Sequence, residues 1–560
     1  MSANRLDQAF ESLLRPGETC WRASLAERAT LLVDGQEYFA ALRSALLRAR
    51  KLIVIAGWDF DTRVHLPPRA AARGESLSAP VQFGELLGYL LQTRPGLQIH
   101  VARWNYHWLY RDDRETDTRQ QLESRGIRFY EDSNHPTTGC VHHKVVVIDD
   151  KLAFIGGIDL THNRWDTREH LPGEARRHNA DGEAYMPVHD TQLCVTGPVV
   201  ADIAAYLREN WPEGPPPERV NVPENCWPEG WPVHFEHINA AVSRTLPACE
   251  SRPAIREVEA FYLAAIARTQ RSLYLENQYF TSTRIAEAIA QRCREVPELQ
   301  GLLVGMERPK TTVELHTMGH GLQRFFRILT ATGASDRVPL VGALCDGQGI
   351  NLHSKLGVFD DRWLTVGSAN LNRRSMGFDV ECNLLLEATT PGHRARMSEL
   401  RNDLLAEHLG STSNAIATHL SSKGLASLPD LGRGRRRLVR LRPDTLAAHF
   451  GPLLVPLFDR DCHLIPPARI RTAPKSRVAV PQRAAVALLA IGSLAAWWDN
   501  APPLHTLTRS VDAVLGEVIH QLQIEAAASL LPKTKPQPVH AHQPGTGCDR
   551  SCAATREESS

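Results

Sequence analysis

The stretch that decides the fold occurs twice: residues 142–159 read HHKVVVIDDKLAFIGGID, and residues 353–370 read HSKLGVFDDRWLTVGSAN. The two align without a gap. Each opens on His, any residue, Lys, and reaches an Asp after four mostly apolar residues (Asp149, Asp360). A small pair opened by Gly follows (Gly156 with Gly157, Gly367 with Ser368), and Asp159 or Asn370 closes the motif. In a strand, side chains at i and i+2 share a face, so His142 projects with Lys144 and His353 with Lys355, while His143 turns to the other face.

Each unit therefore sets an imidazole, whose pKa lies near neutrality, beside a fixed ammonium. Lys144 and Lys355 can hold the non-bridging oxygens of a phosphate, and the small residues at Gly157 and Ser368 let backbone and hydroxyl donors approach the same oxygens. Cleaving a phosphodiester takes a nucleophile, a proton donor for the leaving alkoxide and stabilisation of charge. Two His-Lys units supply all three, one ring attacking while neutral and the other donating its proton. No metal and no organic cofactor is called for.

Outward from the motifs, TLLVDG, EYFAALRSALLRARK and LIVIAGWDFD read as strand, helix, strand over residues 30–60. The alternation returns in EVEAFYLAAIARTQR and SLYLENQYF, residues 257–280, so the chain reads as an internal duplication. Between the copies lies WPEGPPPERVNVPENCWPEGWPVH, residues 211–234, too rich in Pro and Gly for a helix or central strand. The expected division is an N-terminal extension over 1–29, repeats over 30–210 and 251–410, a linker over 211–250, a C-terminal extension over 411–475 that contains a basic run from Arg433 to Arg442, an apolar helical segment over 476–532 that is a possible membrane-associated remnant, and a disordered tail over 533–560.

The duplicated His-x-Lys-x4-Asp followed by a Gly pair resembles the signature of the phospholipase D superfamily. The likeness covers roughly residues 30–410 and is reinforced by LENQYF (275–280), GGIDLTHNRWD (156–166), PVHD (187–190) and NRRSMGFDVEC (372–382), which are similar to segments of its lipid-acting branch. The resemblance implies an α/β fold of two lobes related by a pseudo-twofold axis, each a mixed β-sheet flanked by helices, with the site at their interface. It implies His142 as the nucleophile that becomes phosphorylated and His353 as the general acid, with Lys144 and Lys355 beside them. Asp149 and Asp360 belong to the same catalytic motifs but brace the lobes rather than touch substrate. Around this group stand Gly157, Ser368 and Asn370, with Glu381 and Asp190 as the acids that orient a histidine. Asp159 departs from Asn370 of the second copy, and a carboxylate beside a phosphate repels it unless turned away.

Composition narrows the substrate. Lys and Arg number 64 against 63 Asp and Glu, so no broad cationic field draws in a polynucleotide, and no nucleic-acid partner is expected. The 11 cysteines lack the spacing of a zinc site or a disulfide framework. The N-terminus carries charges throughout with no secretion signal, which fits a cytoplasmic protein. AAVALLAIGSLAAWW, residues 484–498, is shorter than a bilayer span and reads either as a core helix or as the remnant of a weak anchor at the inner face of the membrane. The expected reaction is phospholipid headgroup hydrolysis to phosphatidate, or phosphatidyl transfer to an alcohol, at a peripheral membrane contact. A cardiolipin synthase-type phosphatidyltransferase, a nucleic-acid phosphodiesterase and a non-catalytic scaffold are the alternatives.

Overall fold

The computed structural model describes residues 11–69, 79–105, 117–136, 139–212, 214–224, 226–249, 252–307, 318–431 and 434–441. The segment 484–498 and the tail beyond 533 lie outside the described residues. Among the described residues no helix is long and apolar enough to cross a membrane.

The first half runs β1 (Arg22–Val33), α1 (Asp34–Leu46), β2 (Leu52–Gly57), α2 (Phe83–Thr93), β3 (Gln98–Trp104), α3 (Thr118–Ser124), β4 (Arg128–Asp132), β5 (Val145–Ile148), β6 (Leu152–Gly156), β7 (Val188–His189), β8 (Thr191–Thr196) and α4 (Pro198–Glu209). The second half repeats the scheme with β9 (Phe235–Leu246), β10 (Ile255–Arg256), α5 (Glu257–Arg268), β11 (Ser272–Asn277), α6 (Thr283–Glu295), β12 (Gln300–Gly305), α7 (His320–Ala331), α8 (Ala334–Arg337), β13 (Leu340–Cys345), β14 (Gln348–Gly349), β15 (Asn351–Leu352), β16 (Lys355–Phe359), β17 (Trp363–Gly367), α9 (Arg373–Gly377) and β18 (Glu381–Glu387). Then come α10 (Pro391–Leu409), α11 (Ser413–Lys423) and β19 (Arg436–Arg440).

Pairing follows the duplication. In the first half β4, β3 and β2 run parallel, and β2, β5, β6, β8 and β1 follow antiparallel. In the second half β13, β12 and β11 run parallel, and β11, β16, β17, β18 and β9 follow antiparallel. The two series join where β1 meets β9, from Arg22 opposite Val242 to Ala29 opposite Phe235. Each half is thus a mixed sheet, and the strand order of one mirrors that of the other.

The central strands are apolar at consecutive positions because both their faces are covered. Val145 and Val147 of β5 join one core cluster while Val146 and Ile148 join another with Phe39 of α1 and Leu86 of α2. In the second half Leu356 and Val358 of β16 share the first cluster with Val145, whereas Phe359 packs with Phe261 of α5 and Ile285 of α6. One layer of core is therefore common to both halves.

Two boundaries differ from the expectation. The strand β9 lies inside the stretch read as linker over 211–250, because the Pro and Gly density ends at Pro232 and the small residues after it fit between β1 and β18. The first strand also starts at Arg22, within the expected extension over 1–29. The basic run is not a free patch over its described residues: Arg436–Arg440 forms β19, an edge strand antiparallel to β13, with Arg435 paired to Asp346.

Candidate functional site

Each motif becomes a hairpin. Lys151 donates its amide to Ile148 and Arg362 donates to Phe359, closing two-residue turns in which Asp149, Asp150, Asp360 and Asp361 all have φ between 51 and 54°. Asp tolerates this left-handed backbone, and the twist of such a turn matches that of its strands. The carboxylate of Asp149 accepts the amides of Arg50, Lys51 and Leu52 at 2.7–2.8 Å, and that of Asp360 accepts those of Gln270, Arg271 and Ser272 at 2.6–2.8 Å. Both aspartates thus brace the start of the neighbouring strand in their own half. Read from the sequence as members of the catalytic motifs that brace the lobes, they stand at the far ends of β5 and β16 from the histidines.

The histidines lie at the near ends. His142 donates its amide to Val380 at 2.9 Å, and His353 donates to the carbonyl of His189 at 2.8 Å, beside the short parallel ladder of β7 with β15. Each motif is thereby laid against the segment that carries the other half's acid, and the acids pair crosswise. His142 Nδ1 lies 3.0 Å from the Ser368 carbonyl and 3.1 Å from both carboxylate oxygens of Glu381. His353 Nδ1 lies 2.7 Å from Oδ2 of Asp190. A carbonyl only accepts, so Nδ1 of His142 carries the hydrogen and Nε2 keeps the lone pair. The side chains of His142 and His353 stay 16% and 9% exposed while Glu381 and Asp190 are covered, so the imidazoles are reachable and their acids are not.

Lys144 donates to the carbonyl of His142 at 2.6 Å and sits 3.1 Å from Oδ2 of Asp159. Asp159 also accepts the Trp58 amide at 3.1 Å, so its charge is turned onto the lysine. Lys355 donates to the carbonyl of His353 and, at 3.2 Å, to Oε1 of Gln278. Gly157 leaves room for Asp190: a Cβ there would stand 2.1 Å from Oδ1. At the matching place in the second copy Ser368 donates its hydroxyl to Glu381 at 2.5 Å. The Asn370 carboxamide oxygen is buried without a hydrogen-bond partner.

Burial and the two ammonium groups set the protonation. Burial, then Lys144 and Lys355, hold His142 well below the usual imidazole range, so the ring is neutral at neutral pH. Burial brings Lys355 down to about 7, with Asp190 opposing the fall and Lys144 adding to it. Burial likewise pushes Asp190 and Glu381 up to about 7 each, against the pull of the lysines. One cation escaped the sequence reading: Arg164, whose charge acts on both Asp190 and Lys355.

Beside Gln278 lies a small recess of about 10 Å³ lined largely by Phe280, Met306, Met318, Leu322, Leu340 and Leu441. Behind His353, the Ser354 hydroxyl donates to Glu276 at 2.8 Å, and Glu276 meets His189 at 2.9 Å. His189 was legible only as part of PVHD. His143, turned the other way, bonds the Tyr206 hydroxyl at 2.8 Å in the core.

The family model described as "Cardiolipin synthase, PLD-like domain" matches residues 262–403. Cardiolipin synthase B of Salmonella typhi is 27% identical over 376 residues, covering 64% of this chain and 76% of that protein. Phospholipase D1 of Saccharomyces cerevisiae is 24% identical over 501 residues, covering 68% of this chain and 28% of that one. Phospholipase D alpha 4 of Arabidopsis thaliana is 23% identical over 514 residues, covering 70% and 66%. Among solved structures, phosphatidylserine synthase of Haemophilus influenzae Rd KW20 aligns over 71% of this chain and 93% of that one at a TM-score of 0.47 and 15% identity.

Proposed function

The chain belongs to the phospholipase D superfamily, and from that premise we propose that it splits the headgroup phosphodiester of a phospholipid through a phosphohistidine at His142. Nε2 of the neutral His142 attacks phosphorus, the bond from phosphorus to the headgroup oxygen breaks, and His353 gives that oxygen its proton. Neutral His353 then takes a proton from water or an alcohol, whose oxygen displaces Nε2 and releases phosphatidate or a phosphatidyl ester. Lys144 and Lys355 balance the charge on the phosphate oxygens, and Glu381 and Asp190 are positioning residues that hold the two rings.

The observation that carries this reading is the crossed pairing of each histidine with the other half's acid. It fixes the tautomer of His142 for attack, and the 2.7 Å contact with Asp190 holds the ring of His353 in place to donate its proton. The near balance of 64 Lys and Arg against 63 Asp and Glu favours a lipid over a polynucleotide as substrate, and the lipid is met at the surface of a bilayer. A phosphatidyltransferase of the cardiolipin synthase kind is the second reading, favoured by the family model over 262–403. It uses the same intermediate with phosphatidylglycerol as acceptor.

Mixed phospholipid vesicles with and without ethanol, and vesicles of phosphatidylglycerol alone, separate these outcomes by mass spectrometry. Phosphatidate and phosphatidylethanol made by the wild type and lost in His142→Ala are expected. Cardiolipin from phosphatidylglycerol vesicles marks the second reading. Absence of every lipid product from folded protein counts against both.

A further inference from the structure

Between the two halves, behind His353, two buried imidazoles face two buried carboxylates. Asp34 opens α1, His170 lies in the loop after β6, His189 is in β7 and Glu407 is near the end of α10; all four side chains are at most 1% exposed. Nε2 of His170 is 3.1 Å from Oε1 of Glu407 and 3.6 Å from Oδ2 of Asp34. Nδ1 of His189 is 2.7 Å from the same Glu407 oxygen and 3.2 Å from Oδ1 of Asp34.

The outer side of each ring is already committed. His170 Nδ1 meets Asp166 at 3.0 Å, itself held by Arg177 at 2.8 Å, and His189 Nε2 meets Glu276 at 2.9 Å. Donation outward to these carboxylates leaves the inner nitrogens, His170 Nε2 and His189 Nδ1, available as ligands, and one donor atom from each of the four residues lies within 4.8 Å of the others. Oδ2 of Asp34 is buried there without a hydrogen-bond partner, although a buried carboxylate oxygen ordinarily has one. Asp34 and His170 are also held at φ of 66° and 50°, a backbone that side chains rarely adopt.

We propose that Asp34, His170, His189 and Glu407 form a binding site for a divalent transition metal of the Zn²⁺ class. Metal bonds of 2.0–2.2 Å in a tetrahedron set neighbouring ligand atoms about 3.3–3.5 Å apart. The four contacts above straddle that spacing, and two imidazoles with two carboxylates form a donor set that Zn²⁺ accepts. Asp166 and Glu276 act as the outer carboxylates that orient metal-bound histidines. The ion replaces the second proton that each ring would otherwise need in order to face a carboxylate. Sequence spacing could not show the site, because its ligands lie at positions 34, 170, 189 and 407.

The role is structural, and it does not depend on the phosphodiester reading. His189 precedes Asp190, and its carbonyl receives the His353 amide, so an ion at this point pins β7 to α10 and fixes the acid that holds His353. The test is metal analysis of the full-length protein after dialysis into metal-free buffer and reloading with Zn²⁺ or Co²⁺, read with thermal denaturation. About one ion per chain is expected, with a melting temperature raised by several degrees on loading and a tetrahedral Co²⁺ absorption band. Asp34→Asn and His170→Gln each lose the ion and the rise. A wild-type protein that retains no ion, and whose melting temperature ignores both chelator and Zn²⁺, overturns the site and leaves an ion-pair network of protonated imidazoles.

Discussion

A methyl group at position 157 would overlap Oδ1 of Asp190, so Gly157→Ala is expected to push that acid off His353 and reduce kcat while the sheet still forms. Circular dichroism and turnover measured on one sample check it. Glu381→Gln keeps the shape of the His142 partner and removes its charge; loss of such an orienting carboxylate is expected to lower kcat about 10- to 100-fold with little change in KM. Lys355 gives a pH signature. Its ammonium, brought down to about 7, is charged below that value and neutral above it, so KM is expected to rise as pH passes upward through about 7. Lys355→Arg, which stays charged, is expected to remove that rise, and a pH-independent KM in the wild type contradicts the assignment.

At the scale of elements, each of Asp149 and Asp360 ties a hairpin to the strand beside it through three amides and adopts the left-handed backbone of the turn. Asp360→Ala leaves those amides without their charged acceptor and is expected to destabilise the fold by about 2 kcal/mol or more, with kcat unchanged at a permissive temperature. Urea denaturation beside an activity assay separates the two effects. This division of labour within one motif is half legible in the sequence. The i, i+2 spacing shows that His142 and Lys144 point together, and it says nothing of Asp149 beyond its distance along the strand. The elements at residues 30–60 and 257–280 were legible for the same reason, since their apolar periods are long and regular. The strand β9 was not, because its Asn, Ala and Ser carry no alternation and it is buried by β1 and β18 rather than by its own pattern.

At the scale of the molecule, neither half holds a finished site. Glu381 is 239 residues from the histidine it orients and Asp190 is 163 from its own, so the crossed arrangement is a product of the tertiary fold that no local reading reaches. The duplication, the number of histidines and the identity of the acids were all present in the sequence; which acid serves which ring was not. The meeting of the buried His170 and His189 was likewise not legible, since each looks like an isolated residue until the halves meet. The measurement that bears most directly on the phosphohistidine is intact-protein and peptide mass spectrometry of His353→Ala with a p-nitrophenyl phosphodiester, whose leaving group needs no proton. A phosphoryl adduct on the His142 peptide, absent from His142→Ala, is the expected result. Turnover by His142→Ala at the wild-type rate, or catalysis without any adduct at His142, would contradict it.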